Sequence, residues 1–254
     1  MTSGIVSDKV AIVTGGGRGI GRAIAAALTR AGATVTITGR NQAPLAEVVG
    51  KREAAGYIVA DVTDAKAVDE GVREAVAARG PVSLLIANAG SAKPAPFMKA
   101  APALFREMFD VHVLGMVHPV QAVLGGMIER GFGRIVAVAS IASFKPFLNA
   151  SPYTTAKHAM LGLVRSIALE TAGKGVTVNA VCPGYVDTDL IRPRIEQLVG
   201  RGMSREQAIG QFASQNNAGR LVQPEEVAEA VLYFCSPGAA ATTGSTLVIG
   251  AEAA

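Results

Sequence analysis

Seven short runs rich in β-branched residues, at 10–14, 34–38, 57–60, 82–87, 134–140, 176–181 and 246–249, are for the most part apolar on consecutive positions and not alternate ones. Successive side chains of a strand point to opposite faces, so a strand wetted on one side alternates apolar with polar, and one covered on both sides does not. The runs therefore predict parallel strands buried beneath helices on both faces. Between them, helical periodicity runs over 20–30, 65–79, 102–130, 153–172 and 225–234, and several of these stretches close at a glycine. Strict alternation with right-handed crossovers predicts an α/β fold: a Rossmann-like, doubly wound, seven-stranded parallel sheet with its ligand crevice beyond the carboxyl ends of the strands. One stretch, 187–223, is far longer than the usual few-residue connection and is expected to form a helical lid. With no linker, repeat or low-complexity segment in view, residues 1–254 are expected to form one domain.

Composition narrows the function. Half of the 254 residues are hydrophobic, enough for one large core. The net charge of +4 is spread along the chain with no basic stripe or tail, which argues against nucleic acid as a partner. Cys182 and Cys235 lie inside apolar runs and are expected to be buried thiols in a reducing compartment. His112, His118 and His158 lie far from both thiols in sequence, so no metal site is expected. The first residues carry neither a basic-plus-apolar secretion signal nor an Arg-rich transit pattern, giving an expectation of cytoplasmic residence. Mean hydropathy is positive, yet no uninterrupted apolar run reaches about 20 residues, so no membrane partner is expected.

The first strand runs into Thr14, Gly15, Gly16, Gly17, Arg18, Gly19, Ile20 and Gly21, which open the first helix. Glycines permit a tight turn and close backbone approach, and a helix N-terminus offers free N–H groups and a positive dipole end, together suited to a pyrophosphate. The spacing is Gly-x-x-x-Gly-x-Gly, and it is the strand–turn–helix context that makes it informative. After the second strand, the acid expected for an NAD ribose is replaced by Arg40. Its guanidinium, with Arg18 nearby, can pair with a 2′-phosphate, so NADP(H) is preferred and NAD(H) stays open. The alternative is that both arginines are solvated loop residues.

Tyr153 and Lys157 stand at i and i+4 of a helical pattern and share one face. A phenol is a weak base at neutral pH, and a neighbouring ammonium stabilises its phenolate, so Lys157 is expected to make Tyr153 a usable acid/base. Ser140, closing the fifth strand, would enter the same crevice and hydrogen-bond a substrate oxygen. A solvated helix pair is the bland reading of Tyr153 and Lys157 taken alone.

In combination these motifs resemble the short-chain dehydrogenase/reductase family from about residue 9 to 249, in the family's own order. The resemblance implies that Thr14 to Gly21 hold the cofactor, that Asp61 and Val62 contact its adenine side, and that Asn88, Ala89 and Gly90 support the sheet and line the cofactor. It implies catalysis by Ser140, Tyr153 and Lys157, with Lys157 also holding the nicotinamide ribose. It further implies that Pro183, Gly184, Val186 and Thr188 lie along the nicotinamide, Thr188 at its carboxamide. Two departures stand out. His112 replaces an asparagine that in many members holds a water linked to the lysine; an imidazole binds water and titrates near neutral pH, so it is either a tentative relay residue or a space-filler. His118 and His158 carry no role. The usual Asp-Gly-Gly ending is absent, the chain closing at Gly250-Ala251-Glu252-Ala253-Ala254, which leaves the expected homo-oligomer open between tetramer and dimer.

The later half is most similar to 3-oxoacyl and polyketide ketoreductases. A 3-oxoacyl thioester, on CoA or an acyl carrier, is thus the leading substrate, with Arg192, Arg194, Arg201 and Arg205 either facing the carrier's phosphates or solvated. Relatives sharing this site also act on cyclic and other secondary alcohols. The rival of another class is a non-catalytic NADP-binding sensor, against which the intact Ser140, Tyr153 and Lys157 argue. A Cys-dependent aldehyde dehydrogenase would need an exposed thiolate and ranks last.

Overall fold

The computed structural model describes residues 4–251, and the atypical tail read above therefore ends, at 252–254, outside the described residues. Seven strands are found among them: β1 (Val10–Thr14), β2 (Thr34–Gly39), β3 (Gly56–Val59), β4 (Val82–Ala87), β5 (Gly133–Val138), β6 (Val176–Pro183) and β7 (Thr246–Ile249). They pair in parallel in the order β3-β2-β1-β4-β5-β6-β7. The chain winds outward from β1 in one direction and from β4 in the other. The carboxyl ends of these two neighbours are thus the topological switch point, where open α/β sheets bind ligands.

The consecutive apolar runs divide between two cores. In β1, Ala11 and Val13 enter one cluster, with Ile24 and Leu28 of α1 (Gly19–Arg30), Leu45 of α2 (Gln42–Gly50) and Val231 of α9 (Pro224–Cys235). Val10 and Ile12 enter the other, with Val72 of α3 (Ala65–Arg79), Met116 of α5 (Gly115–Glu129) and Val164 of α6 (Ser151–Glu170). Each fully buried aliphatic side chain contributes roughly 1.5–3 kcal/mol to this two-sided packing. Helix α2 was not marked by its pattern, because Pro44 sits in it; in the first turn a proline costs no hydrogen bond, as the N–H it lacks would be unpaired there.

The helical run expected over 102–130 is interrupted. Helix α4 (Pro102–Phe109) passes through a π-helical turn at Asp110–Leu114, closed by the Gly115 N–H donating to the Asp110 carbonyl, before α5 begins. His112 lies on this widened turn, and further along Pro119 inside α5 has no N–H to give the Gly115 carbonyl. By length and composition alone the stretch Pro102–Glu129 would pass for a membrane span, the most apolar 18 residues in it having a mean hydropathy of 1.4. Its apolarity serves the second core, where Met116 and Met127 are fully buried, and Met108 is fully buried beside them in sequence. The 187–223 stretch contains α7 (Arg192–Val199) and α8 (Arg205–Ala213), which pack around Ile191, Ile195 and Ala208 in a small cluster of their own.

Candidate active site

The glycine turn is built by exclusion of side chains. Gly15 has φ +66° and Gly19 φ +50°, the left-handed region that favours glycine. A Cβ on Gly15 would lie 2.9 Å from Ala89 Cα, and one on Gly21 only 2.5 Å from Asn88 Nδ2. The carboxyl ends of β1 and β4 can therefore close on each other. Asn88 fixes that closure: its Nδ2 donates to the Thr14 carbonyl at 2.9 Å, and the Asn88 and Ala89 N–H groups both donate to Thr14 Oγ1 at 3.0 Å. Helix α1 opens beyond this clamp with Arg18 as its N-cap and no side chain satisfying its first N–H groups, which leaves donors aimed into the crevice. These residues fit a dinucleotide pyrophosphate.

Arg18 and Arg40 are exposed at the mouth of the turn. Asp61, half-buried just beyond β3, accepts from Thr63 N at 3.0 Å and Thr63 Oγ1 at 2.8 Å, and this Asx turn shapes the far edge of the crevice. Val62 is held from behind by His118, whose Nδ1 lies 2.8 Å from the Val62 carbonyl, and by Gly115, where a Cβ would meet Val62 Cγ2 at 2.8 Å.

On the other side of the switch point, Ser140 follows β5, and its Oγ accepts from the Ala142 N–H at 3.1 Å. Tyr153 and Lys157 rise from the first turns of α6. Lys157 is 4% exposed, and its ammonium donates to the Val138 carbonyl at 3.0 Å and sits 5.8 Å from the centre of the Tyr153 ring. Burial lowers its pKa to about 8, so it remains largely charged at neutral pH. Burial pushes the Tyr153 phenol above its ordinary value, against downward pulls from the Ser140 hydroxyl and the Arg194 charge. The direction differs from that expected of a lysine neighbour, because desolvation of the phenolate outweighs the nearby charges; the phenol is held protonated, ready to donate.

His112 meets Tyr153 edge-on, with ring centres 5.3 Å apart. It fits because Gly90 is bare: a Cβ there would lie 2.7 Å from His112 Cε1. Nε2 is 2.7 Å from the Ser91 carbonyl and must donate to it, which leaves Nδ1 as a buried acceptor with no partner among the described residues. Burial, and then the Lys157 charge, depress its pKa to about 3. The expectation that His112 titrates near neutral pH is thereby corrected: it is a neutral acceptor.

From β6 the chain passes Pro183 and Gly184 to Tyr185, and Val186 bridges to Val222. Thr188 then approaches the glycine turn, its Cγ2 lying 3.3 Å from where a Gly19 Cβ would be. Two features here escaped the sequence reading. Tyr185 spans the crevice rim, its ring 6.0 Å from that of Phe147 and 5.3 Å from that of Phe212 on α8. Asn216, 3% exposed, pins the end of the α7–α8 stretch: Oδ1 accepts from Tyr185 N at 2.9 Å, and Nδ2 donates to the Tyr185 and Arg220 carbonyls at 2.8 Å each. Of the four arginines left open between a carrier and solvent, Arg192 pairs with Asp187 and Asp189, and Arg205 with Glu196, all within the stretch itself. Cys182 and Cys235 are buried, their thiols pushed up to about 11 and 12, which makes them poor nucleophiles.

Known proteins match this arrangement closely. The family model described as short chain dehydrogenase covers residues 9–198. An acetoacetyl-CoA reductase of Rhizobium meliloti (strain 1021) is 37% identical over 240 residues, which are 94% of this chain and 96% of the relative. A crystal structure of a variant actinorhodin polyketide ketoreductase with NADPH superposes with a TM-score of 0.90 at 35% identity, covering 95% of each chain. The ligand-free aldohexose dehydrogenase of Thermoplasma acidophilum gives 0.89 at 32% identity, over 97% of this chain and 94% of that one. By fold, motif order and relatives, the chain belongs to the short-chain dehydrogenase family and is an oxidoreductase.

Proposed function

We propose that this protein interconverts a ketone and a secondary alcohol with NADP(H), Tyr153 acting as general acid/base, and that its leading substrate is a 3-oxoacyl thioester. The observation that carries this reading is the convergence of a half-buried, protonated Tyr153 with Lys157 and Ser140 at the carboxyl edge of the sheet, beside an uncapped helix N-terminus. When bound, the nicotinamide supplies a hydride to the carbonyl carbon. Tyr153 gives its hydroxyl proton to the carbonyl oxygen as charge develops there, and takes it back in the reverse direction. Ser140 hydrogen-bonds the same oxygen and fixes its direction. The Lys157 ammonium holds the ribose hydroxyls and stabilises the phenolate left behind. His112, neutral, accepts a hydrogen bond from water through Nδ1 and so places a proton donor beside the tyrosine without becoming imidazolium itself.

Thr14 to Gly21, with Asn88 to Gly90, hold the pyrophosphate side, while Asp61 and Val62 border the adenine. Thr188, with Pro183, Gly184 and Val186, borders the nicotinamide. Arg40 and Arg18 favour the 2′-phosphate, and the NADPH-bound relative supports that preference. The thioester is supported by the acetoacetyl-CoA reductase relative. A cyclic alcohol is the second reading, favoured by the aldohexose dehydrogenase. The α7–α8 stretch is read as the lid over whichever substrate binds. The test is the rate of NADPH and NADH oxidation with acetoacetyl-CoA, cyclic ketones and simple aldehydes. NADPH oxidation fastest with the thioester is expected; tight cofactor binding with no carbonyl reduced would favour the non-catalytic sensor.

A further inference from the structure

A hydrogen bond from a side chain ties helix α5 to the loop after β3. His118, half-buried on α5, has its Nδ1 2.8 Å from the Val62 carbonyl, 56 positions away in sequence. A carbonyl can only accept, so Nδ1 carries the proton. The proton transfer proposed above makes no use of this histidine. Val62 is held on a second side as well: its Cγ2 lies 2.8 Å from where a Cβ on Gly115 would be, so the glycine that closes the π turn lets helix and loop approach. The same turn carries His112 into the space beside Gly90. The loop is thus joined by direct contact to the elements that line the crevice. Within it, the Asp61 carbonyl accepts from the Asp64 N–H at 3.0 Å, Asp61 Oδ1 accepts from Thr63, and the Val62 carbonyl accepts from His118. Two neighbouring groups are left over, Asp61 Oδ2 and the Val62 N–H, which have no hydrogen-bond partner among the described residues. One is an acceptor and the other a donor.

We infer that His118 is a positioning residue for the cofactor's base: by holding the Val62 carbonyl it fixes the loop so that the Val62 N–H and Asp61 Oδ2 select a 6-aminopurine and reject a 6-oxopurine. Adenine presents the complement of this pair, an amino donor on C6 beside the N1 acceptor. Hypoxanthine presents the reverse, a carbonyl on C6 beside a protonated N1, which sets acceptor against carboxylate and donor against N–H. Such a pair discriminates only if its orientation is fixed before the base arrives, and a bond from a packed helix supplies that. The inference rests on the reading that places adenine at Asp61 and Val62, and it names what holds them and which base they select.

The experiment measures dissociation constants for NADPH and for its hypoxanthine analogue, deamino-NADPH, by nicotinamide fluorescence on the wild-type protein, His118→Leu and His118→Asn. Thermal unfolding of each sample confirms that it is folded, and His118→Phe serves as a second variant without the donor. The wild-type protein should bind NADPH about 10- to 100-fold more tightly than the analogue. That ratio should fall about tenfold in His118→Leu and His118→Phe, chiefly through weaker NADPH binding. His118→Asn, whose Nδ2 can donate from the place of Nδ1, should keep most of it. A ratio unchanged in the donor-free variants, even with both affinities lowered together, overturns the proposal and leaves adenine at Asp61 and Val62. Equal binding of the two dinucleotides by the wild-type protein overturns that placement of the base, and the proposal with it.

Discussion

On the proposed cofactor side of the crevice the working surface is backbone, whereas on the proposed reaction side it is side chains taken out of water. The glycine turn, Thr14 and Asn88 form a clamp in which each hydrogen bond has its partner and a single added Cβ on Gly15 or Gly21 would collide. Across the switch point, the buried Lys157, the Tyr153 phenol and His112 all have their charged forms disfavoured by burial. One side is preorganised by fit and the other by desolvation. Substitutions should therefore fail differently: on the first side through shape, on the second through charge.

The largest effect is expected from pH. The folded pKa of His112, about 3, lies below its unfolded value of about 6.5, so its contribution to stability is complete above pH 6.5 and is lost as pH falls toward 3. The full loss is on the order of 5 kcal/mol. In His112→Asn, which cannot titrate, urea midpoints between pH 6.5 and 4 should fall less steeply than in the wild-type protein; parallel curves would remove the desolvation argument. Next comes Gly21→Ala. The collision with Asn88 should cost about 1–3 kcal/mol of stability and weaken NADPH binding at least about tenfold, with the Tyr153 side intact. Calorimetry on the folded variant checks this, and unaltered affinity would show that the turn does not hold the cofactor. Smaller again is Arg40→Ala, for which the NADPH/NADH ratio of kcat/KM should drop about tenfold with little change for NADH. An unchanged ratio would assign Arg40 to solvent.

The sheet was legible because both of its faces are buried, which prints consecutive apolar residues into β1 and its neighbours. Thr14 to Gly21, Ser140, Tyr153 and Lys157 could be proposed from the sequence because few residue types can make that turn or suit the proposed proton transfer. What escaped depended on distant contacts. Asn216 meets Tyr185 across 31 positions, and nothing in the local pattern around either announces it. His112 looked like a group poised to titrate, since the sequence does not reveal how completely Gly90 admits it into the core. The same holds for Tyr153, where the spacing to Lys157 was visible but the burial that outweighs it was not.

The most direct test of the account is Tyr153→Phe, in which NADPH affinity and ketone turnover are measured on the same folded sample. The account predicts turnover reduced about 10²- to 10⁴-fold with NADPH affinity nearly preserved, because the proton donor is lost while the backbone clamp is untouched. Turnover close to wild type would contradict it and move the proton donor to another group.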